Sequence, residues 1–108
     1  MANTTTVNRN TITISGLDAD WTLAGDLAAF QDTGMYISSI RYHPSGADRF
    51  IVHEGGIDGA SLFDVNCVDV NDDRIEYYDP SVARFPVIDI SDCTLAVAAN
   101  ARLTFEFV

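Results

Sequence analysis

Apolar and polar side chains alternate with period two along much of this chain. The pattern begins at Thr-Ile-Thr-Ile-Ser over residues 11–15, where Ile12 and Ile14 fall on one face and the hydroxyls on the other. Gly16 ends that strand. Residues 18–34 interrupt the alternation: Trp21, Ala24, Leu27 and Ala28 recur at helical spacing, Asp18 or Asp20 suits an N-cap, and Gly34 suits a terminator. Gly25 and the local alternation at Trp21-Thr22-Leu23 oppose a long helix, so at most one short helix or irregular turn is expected near residues 20–31.

Strand patterns then run almost without a break. Residues 35–42 and 49–54 read as two arms of one hairpin around His43-Pro44-Ser45-Gly46-Ala47-Asp48, and the Gly55-Gly56-Ile57-Asp58-Gly59 stretch reads as a flexible loop. Residues 61–70 place Phe63, Val65 and Cys67 on one side, and residues 74–78 pair back on them after the Asn71-Asp72-Asp73 turn. Pro86, near the start of residues 85–90, lacks a backbone donor and suits an edge strand. Residues 93–97 and 101–108 form a closing hairpin, with Leu103, Phe105 and Phe107 facing away from Arg102, Thr104 and Glu106. The pattern predicts an all-β protein: one β-sandwich or jelly-roll-like domain of about seven or eight short antiparallel strands over residues 11–108. The polar residues 1–10 are expected as an N-terminal arm, held by its own sheet or by a neighbouring subunit.

Composition supports that class and narrows the partners. Val, Ile and Thr, nine of each, make up a quarter of the 108 residues and suit a pleated, half-buried surface. There are thirteen Asp but only three Glu, and six Arg but no Lys, so two good helix formers are scarce or absent. The net charge of -10 disfavours nucleic acid and anionic membranes as partners. Many of the aspartates fall at loop positions, which makes part of the acidity turn chemistry. No basic stretch precedes an apolar run at the start, and no window reaches the ~20 apolar residues of a membrane span. A protein not secreted through a signal peptide is expected. Cys67 and Cys93 fit no metal or redox spacing and read as buried thiols rather than a disulfide.

Candidate chemistry is sparse. Asp69-x-Asn71-x-Asp73 sets hard oxygens at alternate positions, as calcium loops do, but Arg74 and Pro80 stand where an EF-hand needs Gly and Glu. A solvated turn is favoured there. Glu54 and Asp58 flank the glycine loop without metal-ligand spacing. His43 and His53 could approach each other across the expected hairpin, yet neither a third ligand nor a nucleophile motif accompanies them. Nothing indicates an enzyme, a cofactor or a small-molecule substrate. Trp21 reads as a core anchor. Tyr36, Tyr42 and the adjacent Tyr77 and Tyr78 exceed what alternating burial needs, and one of the adjacent pair must face outward.

Four stretches carry a resemblance: residues 13–23 (TISGLDADWTL), 35–45 (MYISSIRYHPS), 48–55 (DRFIVHEG) and 86–92 (PVIDISD). Together they resemble small β-sandwich structural proteins of tailed bacteriophages and related viruses, over about residues 11–108. The resemblance implies a capsid decoration, or cement, protein on the virion exterior, assembled in the host cytoplasm. Its partners would be the major capsid protein and copies of itself, as a homotrimer or another homo-oligomer. Asn3, Thr4, Thr5 and Thr6 of the arm, with Tyr77 and Tyr78, are then the candidate contact residues. Two other classes fit the same pattern. One is a ligand-binding sandwich, such as a carbohydrate-binding module with an aromatic platform and calcium at Asp69, Asn71 and Asp73. The other is a head-tail or tail-completion protein.

Overall fold

The protein was analysed as a computed structural model that describes residues 3–27, 30 and 33–108. Two antiparallel sheets face each other. The first has five strands, β1 (Thr4–Asn8), β2 (Thr11–Ser15), β9 (Arg102–Phe107), β4 (Ile37–His43) and β7 (Arg74–Tyr77), in that spatial order. The second orders β3 (Trp21–Thr22), β8 (Pro86–Ile88), β5 (Asp48–Glu54) and β6 (Ser61–Cys67). The all-β sandwich expected from the pattern is what the chain forms.

Period-two alternation builds the core. Ile12 and Ile14 of β2, Ile40 and Tyr42 of β4, and Leu103 and Phe105 of β9 are fully buried on the inner face of the first sheet. Trp21, Phe50, Val52, Phe63 and Ile88 answer them from the second sheet. Two aromatic pairs join the sheets: Tyr42 stacks on Phe50 at 4.2 Å between ring centroids, and Trp21 stacks on Phe105 at 5.7 Å. Trp21 is therefore the core anchor that its sequence context suggests.

The connections depart from the expected hairpins in three places, and in two of them a short turn changes sheet rather than reversing a strand within one. β4 and β5, expected to pair, lie in different sheets; β4 pairs with β7 and β9, whereas β5 pairs with β6 and β8. β6 and β7 are likewise split between sheets. The expected closing hairpin is also replaced. Residues 90–92 form a 3-10 turn, and α2 (Leu95–Ala98) is one helical turn packing Ala98 into the core. Four residues with no β-branched run, capped by Thr94 backbone, suffice for this. β8 is flanked by β3 and β5 and so is not an edge strand; β3 pairs only with Val87 and Ile88, which leaves Pro86 outside that ladder.

Near residues 20–31 the expected short helix appears as α1 (Leu23–Asp26), whose first turn is closed by the Thr22 hydroxyl accepting from Gly25 N–H at 3.0 Å. Residues 28, 29, 31 and 32 of the same stretch, Ala28 of its proposed apolar face included, lie outside the described residues. Of the two anchorages expected for the polar arm, its own sheet is the one seen. Over Thr4–Asn8 the arm is an edge strand of the domain's own first sheet, in register with β2 from Thr4 opposite Ser15 to Asn8 opposite Thr11.

Candidate binding face

Sheet order decides which outward side chains meet. On the first sheet, Ser39, Arg41 and His43 of β4 stand opposite Glu106, Thr104 and Arg102 of β9, and Arg41 also stands opposite Ile75 of β7. These residues, with Tyr77 and with Thr11 of β2, line a polar groove of about 360 Å³ across the outer face. Tyr77 lies 77 % exposed. An aromatic ring that free of its own protein is available to a partner.

The groove also carries positive charge that no carboxylate of the described residues pairs with. Arg49 is bonded to Asp64 at 3.0 Å, Arg74 Nε reaches Asp72 at 2.7 Å, and Arg84 lies over the Tyr78 ring at 5.9 Å. The side chains of Arg41 and Arg102, like that of Arg9 outside the groove, make no ion pair or hydrogen bond among the described residues. His43 Nδ1 contacts Asp73 Oδ2 at 2.8 Å at one end of the face. Glu106 carries the face's carboxylate and accepts from Ser38 Oγ at 3.3 Å.

The other sequence candidates disperse. Asn3 is pinned at the base of the sheet, donating to Ala19 O at 2.9 Å and accepting from Asp18 N–H at 3.0 Å. Thr4 and Thr6 are exposed on the outer side of β1, and Thr5 is half-buried. Tyr78 folds back: its hydroxyl donates to Leu62 O at 2.9 Å, and burial raises its pKa. The outward member of the tyrosine pair is Tyr77. Tyr36 is exposed and Tyr42 buried.

In the Asp69-x-Asn71-x-Asp73 turn, both aspartates are engaged with neighbours. Asp69 Oδ1 accepts from Asn71 N–H at 2.8 Å, closing an Asx turn, and Asp73 turns to His43. Between them Asp72 accepts from Val68 N–H and from Arg74, which holds its carboxyl down at about 2. Among the described residues no three His, Cys, Asp or Glu side chains cluster to hold a metal. His43 and His53 belong to different sheets and do not form the pair that a β4–β5 hairpin would have made. His53 instead places Nδ1 3.1 Å from Gly59 O and Nε2 2.5 Å from Asp92 Oδ2. The two cysteines are free thiols, Cys67 buried and Cys93 partly so; burial raises both, Cys93 to about 11. Neither is a ready nucleophile.

A second concavity, about 380 Å³, lies between α1 and the glycine loop, lined by Leu23, Phe30, Ile57, Phe85 and Val87 with Gly55 and Gly56. Among the described residues its lining carries no ionisable group. Sequence reasoning missed Arg41, Arg102 and Glu106 as site residues. The alternation already put Arg102 and Glu106 on one outward face, but only the strand order brings Arg41 and Tyr77 beside them. No family model, no curated protein and no solved structure matches this chain.

Proposed function

We propose that this chain is a non-enzymatic virion structural protein, a decoration or cement protein that docks on the outer capsid lattice and braces contacts between major capsid protein subunits. The observation that carries the reading is the edge strand β1. Among the described residues it has a neighbouring strand on one side only, and Thr-Thr-Thr-Val-Asn contains no charge and no Pro, the usual means of blocking an edge. Val7 adds an apolar side chain that is 49 % exposed on the same strand. Such a strand accepts a further strand from a neighbour by main-chain hydrogen bonding. The net charge of -10 keeps densely arrayed copies soluble.

The test uses particles of the virus that encodes the chain, stripped of it and then re-decorated with recombinant protein. Wild type should rebind at lattice stoichiometry. The double variant Thr6→Lys/Val7→Lys, which places one ammonium on each face of the edge, should rebind at least about tenfold more weakly while melting as wild type does. Equal rebinding would remove β1 from the interface.

A further inference from the structure

We infer that the groove on the outer face of the first sheet is a saccharide site, and that its ligand is a short, carboxylate-bearing sugar of the hexuronate type. Arg41 and Arg102 are the only arginines on the outer face of the first sheet; Arg41 stands opposite Thr104 and Arg102 opposite His43, so the two are diagonal neighbours on adjacent strands, two residues apart in register. Neither is neutralised by a carboxylate of the chain among the described residues. A planar guanidinium presents paired donors that match a carboxylate, and two of them side by side match it better than any neutral group.

The rest of the lining selects a sugar over an acidic peptide. Tyr77 is 77 % exposed at the groove wall and offers a flat apolar face of the size of a pyranose ring. Thr104 and Ser39 supply hydroxyls, and Glu106 supplies an acceptor for sugar hydroxyls. A Glu or Asp side chain from a peptide would satisfy the arginines but would leave the Tyr77 ring and the hydroxyl-accepting Glu106 unused. The volume, about 360 Å³, is at the small end of ligand sites of about 300–1,000 Å³. Charge limits length as well as type. A net charge of -10 opposes a long polyanion, whereas one carboxylate in contact with two guanidiniums lies well inside the ~10 Å over which salt screens the distant acids. The groove spans β2, β9, β4 and β7, so it stays open when a neighbour pairs with β1. The site is thus compatible with docking through the edge and does not depend on it.

Isothermal titration of the full chain with trigalacturonate, galactotriose and a blocked triglutamate peptide tests this. Trigalacturonate should bind saturably. Affinity should fall at least about tenfold with galactotriose, with triglutamate, with Arg41→Gln/Arg102→Gln and with Tyr77→Ala, but less than about threefold with Tyr77→Phe. Binding should weaken as salt is raised. Near-UV circular dichroism checks that each variant keeps its fold; a variant that fails is replaced by reading the amide shifts of Arg41, Arg102 and Tyr77 in wild-type protein on titration. No trigalacturonate binding, equal binding of galactotriose or triglutamate, or binding insensitive to the arginine pair would each overturn the inference.

Discussion

Two residues show how a side chain's surroundings set its energetic role. Tyr42 is fully buried, and its hydroxyl has no hydrogen-bond partner among the described residues although the ring stacks on Phe50. A buried, unmatched hydroxyl carries a desolvation penalty without return. Tyr42→Phe keeps the ring and removes the penalty, so the variant should be as stable as wild type or up to about 1 kcal/mol more stable in urea denaturation. A loss of more than about 1 kcal/mol would mean that the hydroxyl has a partner in solution. His53 is the opposite case. Both of its ring nitrogens face acceptors, Gly59 O and the Asp92 carboxylate, an arrangement only the imidazolium satisfies as a double donor. The Asp92 hydrogen bond raises its pKa above the ordinary 6.5, with Asp89 adding in the same direction and partial burial opposing. A folded-state pKa above the unfolded one adds stability that is complete below about 6.5 and disappears as pH rises through the folded value. Thermal melts of wild type and His53→Asn should therefore lie furthest apart near pH 5.5 and converge toward pH 9; a gap independent of pH would refute the charged state.

At the level of elements, the aspartates explain what the charge count alone does not. Asp20 accepts from Ile90 N–H, Asp48 from Thr94 N–H, Asp89 from Ser91 N–H and Asp79 from Ser81 N–H. Each short carboxylate terminates a strand or starts a turn by satisfying an otherwise unpaired backbone donor. The strands themselves were legible in the sequence, because one buried face enforces period-two alternation whatever the partner. Pairing was not. The residue 43–48 turn has the composition of a hairpin turn, but its flanking strands bury Tyr42 and Phe50 against each other across the sandwich, and that contact is invisible in local sequence. The Arg41–Arg102–Tyr77 face was hidden for the same reason, since it depends on β9 lying between β2 and β4. Where a true hairpin forms, between β5 and β6, backbone approach is the constraint: a Cβ at Gly59 would stand 1.9 Å from Glu54 O. Gly59→Ala should cost about 1–3 kcal/mol by urea denaturation, and a neutral result would show the loop to be more plastic than its geometry.

For the molecule as a whole, the acidic surface, the open edge of β1 and the polar face of the first sheet divide the work. In the proposed reading, charge disperses copies, the edge joins neighbours, and the face carrying Arg41, Arg102 and Tyr77 is left to solvent or ligand. The strand β1 is central to this division, and its place in the sheet changes what the N-terminal residues mean: they are part of the fold and, in the proposed reading, also the surface offered to a partner. The most direct measurement is an electron cryomicroscopy reconstruction of particles from the virus proposed to encode the chain. The account predicts the sandwich at lattice positions outside the shell, with a strand of a neighbouring subunit continuing the sheet alongside Thr4–Asn8. Particles lacking the chain, or bearing it with β1 turned to solvent, would contradict it.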